Sequence, residues 1–129
     1  MTPTGITIHC SDSPHGRGDD INTIRQWHIA RGFKDVGYHY VILENGTIQQ
    51  GRPENVSGAH AKGYNNTIGI CLLGKATFTD EQFEALTGLC LELKEKYKFT
   101  NEVILGHCQL DKSKTCPNFD VTKFKEENL

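Results

Sequence analysis

Two histidines and one cysteine sit where a metal ligand is easily mounted. His9 follows the apolar run from Ile6, His107 follows the run from Val103, and Cys116 lies in the polar stretch 111–118, so each falls at or just after an expected strand end. Two imidazoles and a thiolate suit a borderline-soft, tetrahedral zinc ion, and three protein ligands leave the fourth position to water. Zinc in such an open site can bring the pKa of water from about 15.7 towards about 7, which implies hydrolysis of an unreactive bond such as an amide. The three residues are far apart in the chain and form no HExxH. From the residues alone, ordinary core or surface histidines remain open beside the metal reading.

The elements that must carry these residues can be read from pattern. Ile6 to Cys10 is a short apolar strand, and the Pro, Gly and Asp residues after it form a loop. Asp19 or Asp20 can cap a helix with Ile21, Ile24, Trp27 or His28, and Ala30 at helical spacing, closed by Gly32. Tyr38–Leu43 and Thr47–Gln50 flank Asn45-Gly46, the dipeptide that most favours a tight hairpin. Thr67–Leu73 reads as a buried central strand. Thr79 and Gln82 form a capping box for a long helix whose apolar stripe is Phe83, Leu86, Leu89, Cys90, Leu93 and Tyr97. Val103–Leu105 is a further strand, and Asp120 can cap a last short helix. The expectation is an α/β fold, one mixed central β-sheet flanked by helices, over a single domain 1–129.

A chain of 129 residues, 36% apolar, can bury one core but not two of ordinary size. Its net charge of −2 comes from interspersed acids and bases without a Lys/Arg tract, which argues against a nucleic-acid partner. No stretch approaches the roughly 20 apolar residues of a membrane span, and Met1–Gly5 has no signal-peptide character, so a cytoplasmic protein without a membrane partner is expected. Its cysteines, Cys10, Cys71, Cys90, Cys108 and Cys116, are odd in number and read as reduced thiols. No coiled-coil pattern is visible, and a monomer is expected.

Several segments together resemble a known family. They are Ile8-His9-Cys10-Ser11, Gly37-Tyr38-His39-Tyr40 followed by Asn45-Gly46-Thr47, Gly58-Ala59-His60, Ile68-Gly69-Ile70, Gly106-His107 and Thr115-Cys116-Pro117. In that order and at those distances they resemble the type 2 N-acetylmuramoyl-L-alanine amidases, the family of phage lysozymes and peptidoglycan-recognition proteins. The likeness covers nearly the whole chain. It implies one Zn2+ on His9, His107 and Cys116, a catalytic Tyr38, a catalytic Lys114 just before the cysteine, and His60 along the substrate groove. The implied substrate is peptidoglycan or its muropeptides, cut between N-acetylmuramic acid and L-alanine.

In the implied reaction, Lys114 stabilises the developing oxyanion and Tyr38 orients water or donates to the carbonyl or the leaving nitrogen. The loop from His107 to Cys116 is about a residue longer than the family pattern, which makes Lys112 a fallback for Lys114. The polymerase-binding lead-in of one phage member is absent, and that activity is not carried over.

The implied role is a phage-type endolysin that reaches the wall through a separate permeabilising protein. Rival roles are a cytosolic muropeptide-recycling amidase, a polymerase-regulating module, or a non-catalytic wall-binding module, the last of which the presence of Cys116 disfavours. His39 reads as structural, Asn65-Asn66 as a turn, and His15 and His28 have no motif support. Cys71 and Cys90 read as small buried hydrophobes, whereas Cys10 and Cys108 adjoin a ligand and could compete for zinc or oxidise.

Overall fold

A computed structural model describes all residues 1–129. In chain order it contains β1 (Ile6–Cys10), α1 (Ile21–Ala30), β2 (Tyr40–Ile42), β3 (Ile48–Gln50), β4 (Ile68–Leu72), α2 (Asp80–Tyr97), a 3-10 turn (Asn101–Val103), β5 (Ile104–Gly106), α3 (His107–Leu110) and α4 (Val121–Asn128). The strands form one sheet in the order β3-β2-β4-β1-β5. β1 is parallel to β4 and β5, β2 is parallel to β4, and β3 alone runs antiparallel, so the sheet is mixed as expected.

Local chemistry explains the helix starts. The Asp20 carboxylate accepts from the backbone of Asn22 and Thr23, while the Thr23 hydroxyl accepts from Asp20. Gly32 follows with φ +94°, where a glycine ends a helix without a Cβ penalty. At the hairpin, Gly46 takes φ +87° and the Asn45 side chain accepts from Thr47 N at 3.0 Å.

Strand alternation divides the core in two. Ile6, Ile8, Ile68, Ile70, Leu72 and Ile104 meet Leu86, Leu89, Cys90 and Leu93 of α2 with Val121 and Phe124 of α4. On the opposite face, Val41, Cys71 and Leu73 meet Ile21 and Ile24 of α1 together with Val36. Because successive residues of a strand point to opposite faces, Thr7 and His9 lie on the α1 side, level with Gly69 and Cys71 of β4. The crossover from β4 through α2 to β5 passes over β1, so β4 is the middle strand, as expected, and β1 is an interior strand whose last two residues, His9 and Cys10, extend beyond its pairing with β5. No helix is long and apolar enough to cross a membrane.

The structure adjusts three expectations. Tyr38 and His39 precede β2, although His39 N still donates to Gly69 O at 2.9 Å. The last strand is Ile104–Gly106, one residue later than expected, because Asn101–Val103 winds into a 3-10 turn. His107 leaves the end of β5, as expected, but opens the short helix α3. Cys71 and Cys90 are fully buried, in keeping with their reading as small hydrophobes.

Gln82 is wholly buried, which its role as a capping residue did not announce. Its oxygen accepts from Thr79 N at 3.0 Å, and its amide donates to Leu73 O at 2.8 Å and Ile42 O at 3.2 Å, tying α2 to β4 and β2. Gln82→Leu keeps the volume but removes all three bonds. We expect a loss of about 2 kcal/mol, read as a lower urea midpoint at unchanged slope.

Candidate active site

The parallel register brings His9 and His107 together. Ile8 is level with Gly106 across β1 and β5, so the residues that follow each, His9 and His107, leave adjacent strand ends side by side. Their ring centroids are 4.5 Å apart. The 111–118 loop returns over this edge, with Cys108 N donating to Cys116 O at 2.8 Å. Cys10, next in line after His9, donates its N–H to Cys116 Sγ at 3.2 Å, and the two sulfurs lie 2.7 Å apart.

These residues line a cleft of about 800 Å³ on the α1 side of the sheet. Tyr38 and His60 also line it, with ring centroids 5.1 Å and 4.9 Å from that of His9. Lys114 borders the cleft, whereas Lys112 is not among the residues that line it. Arg31 and Lys62 add positive charge to the same walls, and Asp12 and Asp111 add negative charge. Asp12 (φ +56°) and Asn118 (φ +66°) hold left-handed turns at the cleft, a conformation their short polar side chains tolerate.

Burial sets the protonation of the site. His9 is 2% exposed, and burial, reinforced by the nearby His60 and His107, holds its pKa well below the ordinary histidine value. Burial and the Lys114 ammonium also lower His107, while burial pushes His60 down to about 4. Burial raises Tyr38 well above an ordinary phenol, so its hydroxyl stays a donor. Hydrogen bonding from the Cys10 thiol lowers Cys116 to about 7, and the same bond raises Cys10. The outcome is neutral imidazoles and a thiol that ionises readily, the forms in which these side chains bind a metal.

The donor set fits zinc in kind. As they stand, no three donors converge on one point, since the Cys116 sulfur is turned against Cys10. His9 Nδ1 has no protein partner and is not sealed from solvent, whereas His9 Nε2 lies 2.8 Å from His60 Nδ1. The free Nδ1 beside His107 is the feature a metal would use.

The remaining polar residues have structural partners. His39 is wholly buried and both its nitrogens meet backbone: Nδ1 accepts from Gly69 N at 3.0 Å and Nε2 donates to Val56 O at 2.7 Å. Asn65 Oδ1 accepts from His60 N and Ala61 N, so it closes the 58–65 turn. His15 donates to Leu73 O at 2.8 Å. Of Trp27 and His28, the two candidates for the α1 stripe, His28 is the buried one, and its place at the site was not foreseen: it lies against Tyr38 at 5.3 Å, its Nδ1 accepts from Gly37 N, and it lines the cleft with Arg31. Only helical spacing from Ile24 could have hinted that His28 faces inward.

Comparison with known proteins agrees with this geometry. A family model described as N-acetylmuramoyl-L-alanine amidase matches residues 1–119. The endolysin of Escherichia phage T7 is 39% identical over 95% of this chain and 85% of its own length. Among solved structures, the N-acetylmuramoyl-L-alanine amidase LysC from Clostridium intestinale superposes with a TM-score of 0.87 at 31% identity, over 98% of this chain and 85% of that one. The bumblebee peptidoglycan-recognition protein SA gives 0.84 at 25% identity, over 100% and 84%. With its cleft at the strand ends and this similarity along its length, the chain belongs to the N-acetylmuramoyl-L-alanine amidase family and is an amidase of the phage-endolysin type.

Proposed function

We propose that residues 1–129 form one catalytic domain that cuts the amide between N-acetylmuramic acid and L-alanine in peptidoglycan with the help of one zinc ion. The observation that carries this reading is that His9, His107 and Cys116 line one cleft, His9 and His107 side by side at adjacent strand ends and Cys116 held against Cys10, the residue after His9. His9, His107 and Cys116 would hold the metal. When bound, zinc supplies Lewis-acid polarisation of the amide carbonyl and makes water nucleophilic near neutral pH.

The chain's own groups supply the rest. Lys114 borders the cleft, from where its ammonium would stabilise the negative charge that develops on the carbonyl oxygen. Tyr38 keeps its proton and offers a donor to that oxygen or to the departing amide nitrogen. Arg31 and Lys62 suit the carboxylates of a stem peptide laid along the cleft. The protein acts as a monomer on the wall or its fragments, and as an endolysin it is made in the cytoplasm and gains access through a separate permeabilising protein.

Digestion of purified peptidoglycan tests the reaction. Stem peptides with free L-alanine amines should appear without new reducing ends, stop with a chelator and resume on zinc addition; new reducing ends would overturn the amidase. His107→Ala should lose zinc and turnover together. Lys114→Ala should keep one zinc per chain, measured by atomic absorption, while kcat falls about 10²- to 10³-fold. Full activity in Lys114→Ala would remove that residue from the reaction.

A further inference from the structure

We propose that His60 is a positioning residue that fixes the tautomer of His9, so that His9 presents a bare Nδ1 to the metal. The argument begins at a backbone oxygen. His60 Nε2 lies 3.0 Å from Thr67 O, and a carbonyl can only accept, so the proton of neutral His60 is on Nε2. Its Nδ1 is then an acceptor, and the atom facing it at 2.8 Å is His9 Nε2. That nitrogen must donate. His9 is therefore the Nε2–H form, with its lone pair on Nδ1.

The fold holds each link of this chain. Thr67 is anchored by its own hydroxyl, which donates to Tyr64 O at 2.7 Å and accepts from the Thr7 hydroxyl at 2.7 Å. The His60 backbone is held by Asn65 Oδ1 at 2.8 Å. Its ring occupies a slot left by two glycines: a Cβ on Gly58 would come within 2.4 Å of the ring, and one on Gly69 within 2.6 Å. Gly69 is level with Thr7 on the face that carries His9, so the missing side chain leaves the space in which the His60 ring reaches His9 Nε2.

The family motif places His60 against substrate. Here both of its ring nitrogens are already engaged within the protein, which leaves none for a sugar or peptide. Partners behind a metal-binding histidine orient the ring and raise its basicity, and their loss commonly weakens metal binding about 10- to 100-fold.

This inference rests on His9 being a zinc ligand, and the experiment separates the two. Long-range proton–nitrogen NMR of histidine-labelled, metal-free wild type should show His9 and His60 both protonated at Nε2. His9 protonated at Nδ1 would overturn the proposal without recourse to any variant. Zinc affinity is then read by competition with a chromophoric chelator. His60→Leu should weaken zinc about 10- to 100-fold and leave His9 in mixed tautomers. His60→Asn, whose amide oxygen can stand where Nδ1 was, should recover most of the affinity. Wild-type affinity in His60→Leu, or no recovery in a folded His60→Asn, would refute it. A wild type showing the Nε2–H tautomer but binding no zinc would sink the ligand reading instead.

Discussion

The constraint on which this molecule depends is the parallel pairing of β1 with a neighbour on each side. β1 is five residues long, yet it contacts β4 along its whole length and β5 along its first three residues. Its two faces have different duties. Ile6 and Ile8 enter the core beneath α2, whereas Thr7 and His9 face the other way, Thr7 onto the Thr67 hydroxyl and His9 into the cleft. A slip of one residue would send His9 into the core and Ile8 into the cleft, so the same apolar packing that stabilises the sheet also aims His9.

The site inherits its character from that placement. A histidine at the centre of a sheet is desolvated, which keeps it neutral, and it has neighbours on all sides that can use its nitrogens. Of the groups around it, His60 takes one nitrogen and Tyr38 and His107 pack on the ring. The charged groups Lys114 and Arg31 come from a loop and a helix end at the rim, where an ammonium or guanidinium keeps much of its hydration. His9 and His107 thus leave adjacent strand ends, whereas Cys116 and Lys114 come from the loop that returns over them.

Much of this was legible in the residues. The Thr79–Gln82 capping box, the cap of α1 at one of its two candidates, Asp20, the Asn45-Gly46 hairpin and the apolar stripe of α2 depend on local chemistry, and each appears where pattern put it. The parts that were not legible depend on distant partners. Nothing near Gln82 shows that two strand carbonyls await its amide, and nothing near His28 shows that Tyr38 and Gly37 pack against it. The α3 turn at His107 and the shift of β5 arise because a 3-10 turn consumes the residues before the strand. The resemblance placed His60 in the groove, but its bond to His9 joins residues 51 positions apart and only the folded chain reveals it.

The Cys10–Cys116 contact joins residues 106 apart in a chain of 129. Closing so long a loop is entropically costly and late, as is pairing β5 with β1. A polypeptide that ends before Cys116 lacks that sulfur, so this edge of the cleft is closed only when nearly the whole length of the chain is present.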